Sequence, residues 1–166
     1  MHNELTKNDI KKMEDEIEYR VQVVRKQALE DVKEARAHGD LSENFEYHAA
    51  KKDKNMNESR IRYLERMLKN AEIVSDQSKS DEVGINNTVT LYMEDDDEEE
   101  TYKIVTSIRG NSMKGHISTE SPMGKALLGH KVGERVYIKV NENFGYYAVI
   151  RKIENTDDGG DEIRKF

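Results

Sequence analysis

The chain has 166 residues, of which 35% are hydrophobic and 37% are charged, and it contains neither tryptophan nor cysteine. Disulfides and thiolate chemistry are therefore excluded. No signal-peptide core and no apolar run near the ~20 residues that span a bilayer is found, so we expect a cytoplasmic protein without a membrane partner. The net charge of −7 argues against indiscriminate nucleic-acid binding.

The first predicted element is one long helix over residues 6–37. Thr6 is a candidate cap, with Asp9 as an acidic first-turn partner three residues on. At 1.5 Å per residue this helix is about 45 Å long. Apolar residues recur along it at steps of three and four, which is the coiled-coil spacing; they are Ile10, Met13, Ile17, Val21, Val24, Ala28, Val32 and Ala35.

A second helix is predicted from Ser42 to Val74, after a break at Gly39. Two long helices joined by so short a break are expected to fold back antiparallel and bury their apolar seams together. A single kinked helix that pairs with another chain is the alternative. The apolar positions of the second helix are Phe45, Ala49, Met56, Ile61, Leu64, Leu68 and Ala71.

The hydrophobic period changes after residue 74. Residues 75–87, SDQSKSDEVGINN, are polar and linker-like. SPMGKALLG, 121–129, is short, apolar and closed by a glycine, which indicates a short helix packed on a sheet. Strands are predicted in the β-branched and aromatic runs TVTLYM (88–93), TYKIVTSI (101–108), RVYIKV (135–140) and YYAVIRKI (146–153).

Two charged segments flank or interrupt these strands. EDDDEEE, 94–100, is interpreted as a solvated hairpin loop, with a calcium site as the alternative. The tail NTDDGGDEIRKF is polar and is predicted to be flexible. The sequence thus predicts an α+β protein with a coiled-coil hairpin over 1–76, a small α+β domain over 77–154 and a flexible tail over 155–166.

The bend RAHGDLSENFEYHAAK, 36–51, carries two carboxylates, Asp40 and Glu43. Aspartate at a helix N-cap with glutamate three residues later is close to a capping box, so both acids have a purely structural interpretation. The functional interpretation is a partial Mg²⁺ site, because Mg²⁺ commonly takes one or two protein carboxylates and completes its shell with water and phosphates. Two acids are too few for a closed site, but they can complete a metal site that belongs to a partner.

Basic residues flank the same bend. Arg36 precedes it, and Lys51 and Lys52 lie one to two turns down the second helix. Intrahelical ion pairs on a solvated coiled-coil surface are the alternative explanation for many of the cations. Arg36 and Lys51 are better placed to meet phosphates that approach the bend.

The stretch EARAHGDLSENFEYHAAKKDKNMNESRIRYLERMLKNAEIV closely resembles the bacterial Gre transcript-cleavage factors, and GreA more than GreB. In the second half, VGINNTVTL, TYKIV and ISTESPMGKALLGHKVGERVYIKV resemble the C-terminal domain of that family. The match covers about residues 5–154. The resemblance implies an antiparallel coiled-coil hairpin followed by an FKBP-like domain, in a protein that we expect to be a monomer.

The resemblance also implies a partner and a set of roles. The globular domain would dock on bacterial RNA polymerase at the rim of its secondary channel, through Ser121, Pro122, Met123 and Gly124, and the hairpin would enter the channel. Asp40 and Glu43 match the acids at the family's tip. Arg36, Lys51 and Lys52 match a basic patch that meets the 3′ end of backtracked nascent RNA, and Gly39, Ser42, Asn44 and Phe45 would shape the tip.

The implied reaction belongs to the polymerase, not to this chain. After backtracking, the tip acids would help to hold a second Mg²⁺ ion and orient the attacking water for two-metal phosphodiester hydrolysis. This Mg²⁺ would be shared with the polymerase active site and not bound stably by this chain alone. The protein would thus stimulate cleavage without being an enzyme by itself.

Some residues depart from the family pattern. Phe45 stands where a small residue is usual, and it could pack under the turn, touch the polymerase or change the tip geometry. Asn86 and Asn87 replace a glycine and a small residue, and the segment after Glu154 is extra. These departures favour, as the alternative function, a regulator that occupies the polymerase channel without stimulating cleavage. A prolyl isomerase is disfavoured because aromatic residues for an apolar proline pocket are sparse.

Overall fold

The computed structural model describes residues 3–39, 44–79 and 81–165. The chain divides into two compact units. One is the helical hairpin Ile10–Ala71, and the other combines the N-terminal residues up to Asp9 with Glu72–Lys165. The predicted hairpin, residues 1–76, is therefore longer than the hairpin of the structure, which begins at Ile10 and ends at Ala71. The reason is that β1 (Glu4–Leu5) pairs in parallel with β2 (Glu72–Ile73), which places the first residues of the chain in the globular unit.

The first arm of the hairpin is helical over the predicted length but not uniform. It consists of α1 (Lys7–Tyr19), a π-helical segment (Arg20–Val24) and α2 (Arg25–Arg36). All eight predicted seam positions of this arm are buried or half-buried, which confirms the assigned face. Among the described residues, no helix is long and apolar enough to cross a membrane.

The second arm is α3 (Phe45–Lys69), and it runs antiparallel to the first. The guanidinium of Arg60 donates to Glu16 over 2.8 Å near one end of the contact, and Asn44 donates to the carbonyl of Ala35 over 2.7 Å near the other. Residue numbers thus fall along one arm as they rise along the other. This pairing within one chain confirms the folded-back hairpin and excludes the single kinked helix.

The seam of α3 differs from the prediction. Phe45 is 86% exposed, Met56 is 58% exposed and Ala49 is also exposed, so none of the three lies in the seam. Ile61 and Leu64 are buried as predicted, but two further buried positions hold polar side chains, which a hydrophobic pattern does not assign to a seam. The buried residues of α3 are Asn57, Arg60, Ile61 and Leu64.

A polar layer crosses the hairpin where the first arm is π-helical. Arg20 and Arg60 both donate to Glu16, at 2.7 and 2.8 Å. Burial raises the pKa of Glu16, but the bonds from Arg60 and Arg20 outweigh burial and hold that pKa below its usual value. The carbonyl of Arg20 accepts both from Arg25 N–H, five residues on, and from the side chain of Asn57. The wider π-helical turn is therefore stabilised by a hydrogen bond from Asn57 of the opposite arm.

The cap predicted for the first helix is confirmed in both directions. The N–H of Asp9 donates to Thr6 Oγ1 at 3.1 Å, and the N–H of Thr6 donates to Asp9 Oδ2 at 3.0 Å. This reciprocal pair is a capping box with aspartate in place of glutamate. It fixes the start of α1 inside the globular unit.

The globular unit is built on five strands: β3 (Asn87–Met93), β4 (Glu98–Val105), β5 (His116–Ser118), β6 (Arg135–Lys139) and β7 (Gly145–Asn155). They form a mixed sheet with the strand order β5-β4-β3-β7-β6. The only parallel pair among these strands is β4 with β5, and the other neighbours are antiparallel. The four predicted strands appear as β3, β4, β6 and β7, although β4 ends at Val105 and not at residue 108. The short strand β5 was not predicted, and α4 (Pro122–Leu127) is the predicted short helix.

The core lies between one face of the sheet and α4. Side chains of β3 alternate strictly between buried and half-buried, as period-2 patterning requires. Gly124 in α4 is packed so closely that an added Cβ would lie 2.1 Å from the carbonyl oxygen of Ser118. A glycine is therefore needed for the helix to approach the sheet. The buried core cluster comprises Val83, Val89, Leu91, Met93, Ile104, Leu127, Val136, Ile138, Ala148 and Ile150.

The segment predicted as a polar linker contributes to this unit at its C-terminal end. Val83 is buried in the core. Asn86 adopts a positive φ of 74°, a conformation in which asparagine is tolerated better than most residues other than glycine. The side-chain oxygen of Asn87 accepts from Gly84 N–H at 2.7 Å. Asn86 thus suits the backbone conformation at its position, and Asn87 stabilises the turn that begins at Gly84.

The predicted flexible tail is held against the globular unit. Asp161 accepts from Lys103 at 2.9 Å and from Arg109 at 2.9 Å, and the N–H of Arg164 donates to the carbonyl of Ile108 at 2.7 Å. The sequence predicted a flexible tail because residues 155–166 include few apolar residues. It could not show that Asp161 meets two cations that need a partner.

Arg109 is the reason that the tail and the N-terminus meet in one unit. Its side chain is fully buried, and Nε donates to the equally buried Asp9 at 2.6 Å. Nη1 donates to Asn86 Oδ1 at 2.6 Å and to Asp161 Oδ2 at 2.9 Å. A buried guanidinium requires such compensation. The network therefore ties three distant parts of the chain to one side chain.

Candidate functional site

The bend between α2 and α3 is the candidate site, and the structure describes its two flanks. Asp40, Ser42 and Glu43 lie outside the described residues. Gly39 has a φ of +136°, which residues with a side chain rarely adopt, so the predicted glycine break is confirmed. Asn44 resumes the described chain as the N-cap of α3.

Asn44 joins the two arms at the base of the bend. Its Nδ2 donates to the carbonyl of Ala35 at 2.7 Å, and its Oδ1 accepts from the N–H of Tyr47 at 3.0 Å. One side chain thus caps α3 and satisfies a carbonyl at the end of α2. The cap that the sequence assigned to Asp40 belongs to Asn44, so the start of α3 does not require Asp40.

Two further contacts link the arms beside this cap. His38 Nδ1 lies 3.3 Å from Glu46 Oε2, and the guanidinium of Arg36 lies over the ring of Tyr47, 5.5 Å from its centroid. The rings of Tyr47 and His48 are 5.5 Å apart in a tilted arrangement. Side chains of the two arms therefore contact one another directly beside the bend, which we call the base of the bend.

Tyr47 was missed by the sequence analysis, although its position is informative. It follows the true cap by three residues, and it lies one helical turn before Lys51, on the face that meets Arg36. Hydrogen bonding to Arg36, followed by the charges of Lys51 and Lys54, lowers the pKa of Tyr47 despite opposing desolvation. This shift reports positive potential at the base of the bend.

The predicted basic residues fall on two faces of the hairpin. Arg36, Lys51 and Lys52 are all exposed. Arg36 and Lys51 share the face of Tyr47, whereas Lys52 lies seven residues from Phe45 and shares the Phe45 face. The structure thus brings Arg36 and Lys51 together through Tyr47, and it separates Lys52 from them.

Phe45 is the first residue of α3, and its side chain is 86% exposed. Packing under the turn, one of three roles considered for it, does not agree with this exposure. Its neighbour Glu46 faces His38 on the opposite arm. The ring of Phe45 is thus presented to solvent beside the bend.

The predicted docking segment begins α4. Ser121 is the N-cap, since its Oγ accepts from Gly124 N–H at 3.1 Å, and Pro122 occupies the first turn. Pro122 is exposed and Ser121 is half-buried. Met123 packs partly against the core, and Gly124 is buried. The four residues therefore divide into an accessible pair, Ser121 and Pro122, and a pair that mainly seats the helix.

Metal-binding groups are sparse in the described structure. Across residues 3–39, 44–79 and 81–165, no group of three or more histidine, aspartate or glutamate side chains is placed to hold a metal ion. The acidic run 94–100 forms a turn and then the first residues of β4. The calcium interpretation of that run thus finds no support in the described residues.

Comparison with known proteins identifies both units. A family model for the N-terminal domain of the GreA/GreB transcription elongation factors matches residues 3–73. A second model, for the C-terminal domain of the same factors, matches residues 77–155. Together the two models cover nearly all of the chain and stop before the tail that Asp161 anchors.

Individual relatives agree with these models. Transcription elongation factor GreA of Caldanaerobacter subterraneus subsp. tengcongensis is 48% identical over 82% of this chain and 87% of its own length. GreA of Chloroherpeton thalassium is 47% identical, with 88% and 93% covered. GreA of Bacillus subtilis is 43% identical, with 81% and 86% covered.

Among solved structures, GreA factor homolog 1 of Thermus thermophilus is 26% identical to this chain, with 93% of this chain and 99% of that chain covered and a TM-score of 0.43. The family assignment rests on the two domain models and on the sequence identities of the GreA relatives. The chain belongs to the GreA/GreB family of transcription elongation factors.

Proposed function

We propose that this protein binds bacterial RNA polymerase, inserts its coiled-coil hairpin into the secondary channel and stimulates the polymerase's own cleavage of backtracked nascent RNA. Membership of a family of transcription elongation factors supports the general role. The observation that carries the finer proposal is the bend itself. The sequence places two carboxylates, Asp40 and Glu43, between helical arms whose described flanks are joined by side chains.

The acids at the bend are available for a role other than capping. Asn44 already caps α3, and its second bond reaches α2. Asp40 and Glu43 are therefore not required to begin the helix. Two carboxylates only three residues apart in sequence are expected to repel one another, and a bound cation would offset that repulsion.

The donor set fits Mg²⁺ as a shared ion. Asp40 and Glu43 supply the hard oxygen ligands that Mg²⁺ prefers, and two protein carboxylates leave positions for water and phosphate oxygens. The remaining ligands would come from the polymerase and the RNA. When bound, Mg²⁺ stabilises charge on the reacting phosphate and lowers the pKa of its bound water. This chain would supply ligands, orient them and leave the chemistry to the polymerase.

The basic face would position the RNA. The guanidinium of Arg36 lies over the ring of Tyr47, and the pKa of Tyr47 is lowered first by its hydrogen bond with Arg36 and then by the charge of Lys51. Phosphate contacts of this kind fix orientation without reading sequence. We propose that this face meets the backbone of the extruded 3′ segment, while Ser121 and Pro122 at the start of α4 contact the polymerase.

A second function is a channel-binding regulator that does not stimulate cleavage. The exposed aromatic ring of Phe45 beside the bend favours it, because a bulky side chain there could obstruct the approach of RNA. The two functions predict opposite results for one assay.

The experiment is to add the purified protein to a halted, backtracked elongation complex with a labelled transcript. Cleavage stimulation predicts a faster appearance of shortened RNA that resumes extension when nucleotides are supplied. Unchanged RNA together with measurable binding to the complex would support the regulator and contradict cleavage stimulation.

A further inference from the structure

We propose that Phe45 stacks on an unpaired base of the extruded RNA, so that the exposed side of α3 holds the base while the opposite basic face holds the backbone. This inference rests on the proposed function, and it assigns an RNA-binding contact to a residue outside the acidic pair and the basic residues. A single exposed apolar side chain is ordinary on a protein surface. The inference therefore depends on what surrounds Phe45.

The surroundings of Phe45 form one defined helix face. Phe45, His48, Ala49 and Lys52 lie three, four and seven residues apart, so they share one side of α3. All four are exposed. No carboxylate stands at any of these positions. The face thus combines an aromatic ring, an imidazole and an ammonium group.

This combination fits a single-stranded nucleic acid better than a protein. Aromatic rings stack on unpaired bases of any sequence, and nearby cations follow the phosphates. Lys52 supplies the cation on the Phe45 face. The nearest acid along the helix, Glu46, lies 3.3 Å from His38 of the opposite arm. An apolar protein partner would not require a cation on the same helix face.

The backbone beneath Phe45 is held in place before any ligand arrives. Asn44 caps α3 at the residue before Phe45, and it is anchored to Ala35 of α2. Because the first turn is fixed from both arms, the Cα–Cβ direction of Phe45 is fixed as well. A stacking contact there would cost little ordering of the protein.

The test uses backtracked complexes that differ only in the extruded nucleotide, which carries a normal base or is abasic. The full-length variants are Phe45→Ala, Phe45→Leu and Phe45→Trp, and affinity and cleavage rate are both measured. Met56→Ala, an exposed apolar residue further along α3, is the matched control. With the normal base we expect Phe45→Ala and Phe45→Leu to lose about tenfold in affinity, since one stacked base is typically worth that much or more. Phe45→Trp and Met56→Ala should retain wild-type affinity.

The abasic complex separates RNA from polymerase as the partner. Stacking predicts that wild type and Phe45→Ala bind the abasic complex equally. A defect of Phe45→Ala that persists on the abasic complex, or that appears with RNA-free polymerase, would overturn the inference and assign Phe45 to a protein contact. Equal affinity of wild type and Phe45→Ala for the normal complex would also overturn it. Because affinity is read independently of cleavage, a wild-type protein that binds without shortening RNA would contradict the proposed function and still leave this test decisive.

Discussion

Asn44 and Ala35 are joined across the hairpin by a 2.7 Å hydrogen bond from the asparagine amide to the alanine carbonyl. The same asparagine caps α3 through its oxygen, 3.0 Å from the N–H of Tyr47. One side chain therefore fixes where α3 begins and how it meets α2. Asn44 therefore fixes the α3 flank of the acidic bend, although it carries no charge itself.

Replacing Asn44 separates its two bonds. Asn44→Ala loses both the cap and the cross-arm bond, and we expect it to lower the free energy of unfolding by about 1 kcal/mol or somewhat more. Asn44→Asp keeps the oxygen that caps α3 but loses the amide donor to Ala35. It should retain most of the stability and still stimulate cleavage less than wild type. Thermal unfolding and cleavage on the same proteins check this, and equal cleavage by Asn44→Asp and wild type would show that the cross-arm bond is dispensable.

The basic face is tested through Arg36 and Lys51. Arg36→Ala and Lys51→Ala should weaken cleavage chiefly for complexes with several extruded nucleotides, because phosphate contacts need RNA to be present. Arg36→Lys keeps the charge but loses the planar group over Tyr47, so we expect an intermediate effect. Binding to RNA-free polymerase is the control and should not change. Loss of that binding would assign both residues to a protein contact.

The sequence predicted the elements of this fold well, because hydrophobic period and capping residues are local signals. The seam of α1 and α2, the Thr6–Asp9 cap and four of the five strands of the sheet follow such signals. The seam of α3 does so only in part: Ile61 and Leu64 are buried as predicted, but Asn57 and Arg60 occupy buried positions that a hydrophobic pattern treats as solvent-facing. Burial of these two residues depends on partners in the opposite arm, which no local window contains.

Only part of the candidate site was predicted, again because contacts with the opposite arm are not visible in a local stretch of sequence. The glycine break and the exposed basic residues followed from the sequence, whereas the cap was assigned to Asp40 and not to Asn44. The tail was predicted to be flexible because its polar composition hides the pairing of Asp161 with Lys103 and Arg109. Long-range ion pairs of this kind become visible only once the fold is known.

The anchoring of the tail gives a stability prediction. The Asp161 side chain is 5% exposed and serves two cations, one of which is the fully buried Arg109. Asp161→Ala should lower the free energy of unfolding by about 2 kcal/mol, because it removes the charge-assisted hydrogen bonds from Lys103 and Arg109 and leaves Asp9 as the remaining carboxylate partner of the buried Arg109. Glu162→Gln, which changes an exposed acid at the next position, is the matched control and should have little effect. Denaturant unfolding of both variants measures the difference, and equal stability would contradict the anchoring.

The polar layer of the hairpin predicts a pH dependence. The pKa of Glu16 is lowered in the folded protein, so its contribution to stability is present above its unfolded pKa and is lost as the pH falls through its folded pKa. Glu16→Gln should remove that contribution, and its stability deficit relative to wild type should shrink in acid. Glu14→Gln, an exposed acid in the same helix, should show no such deficit. Unfolding curves at neutral pH and below pH ~4 test this, and a deficit that stays constant with pH would contradict it.

The central claim is that Asp40 and Glu43 act as metal ligands, and isosteric replacement tests it most directly. Asp40→Asn and Glu43→Gln preserve side-chain shape and remove the charge that a Mg²⁺ ligand requires. Cleavage of backtracked RNA is measured for both variants over a Mg²⁺ titration, with melting temperature and polymerase binding measured alongside. We predict unchanged folding and binding, strongly reduced cleavage and partial recovery at raised Mg²⁺. Wild-type cleavage by both variants at every Mg²⁺ concentration would contradict the claim.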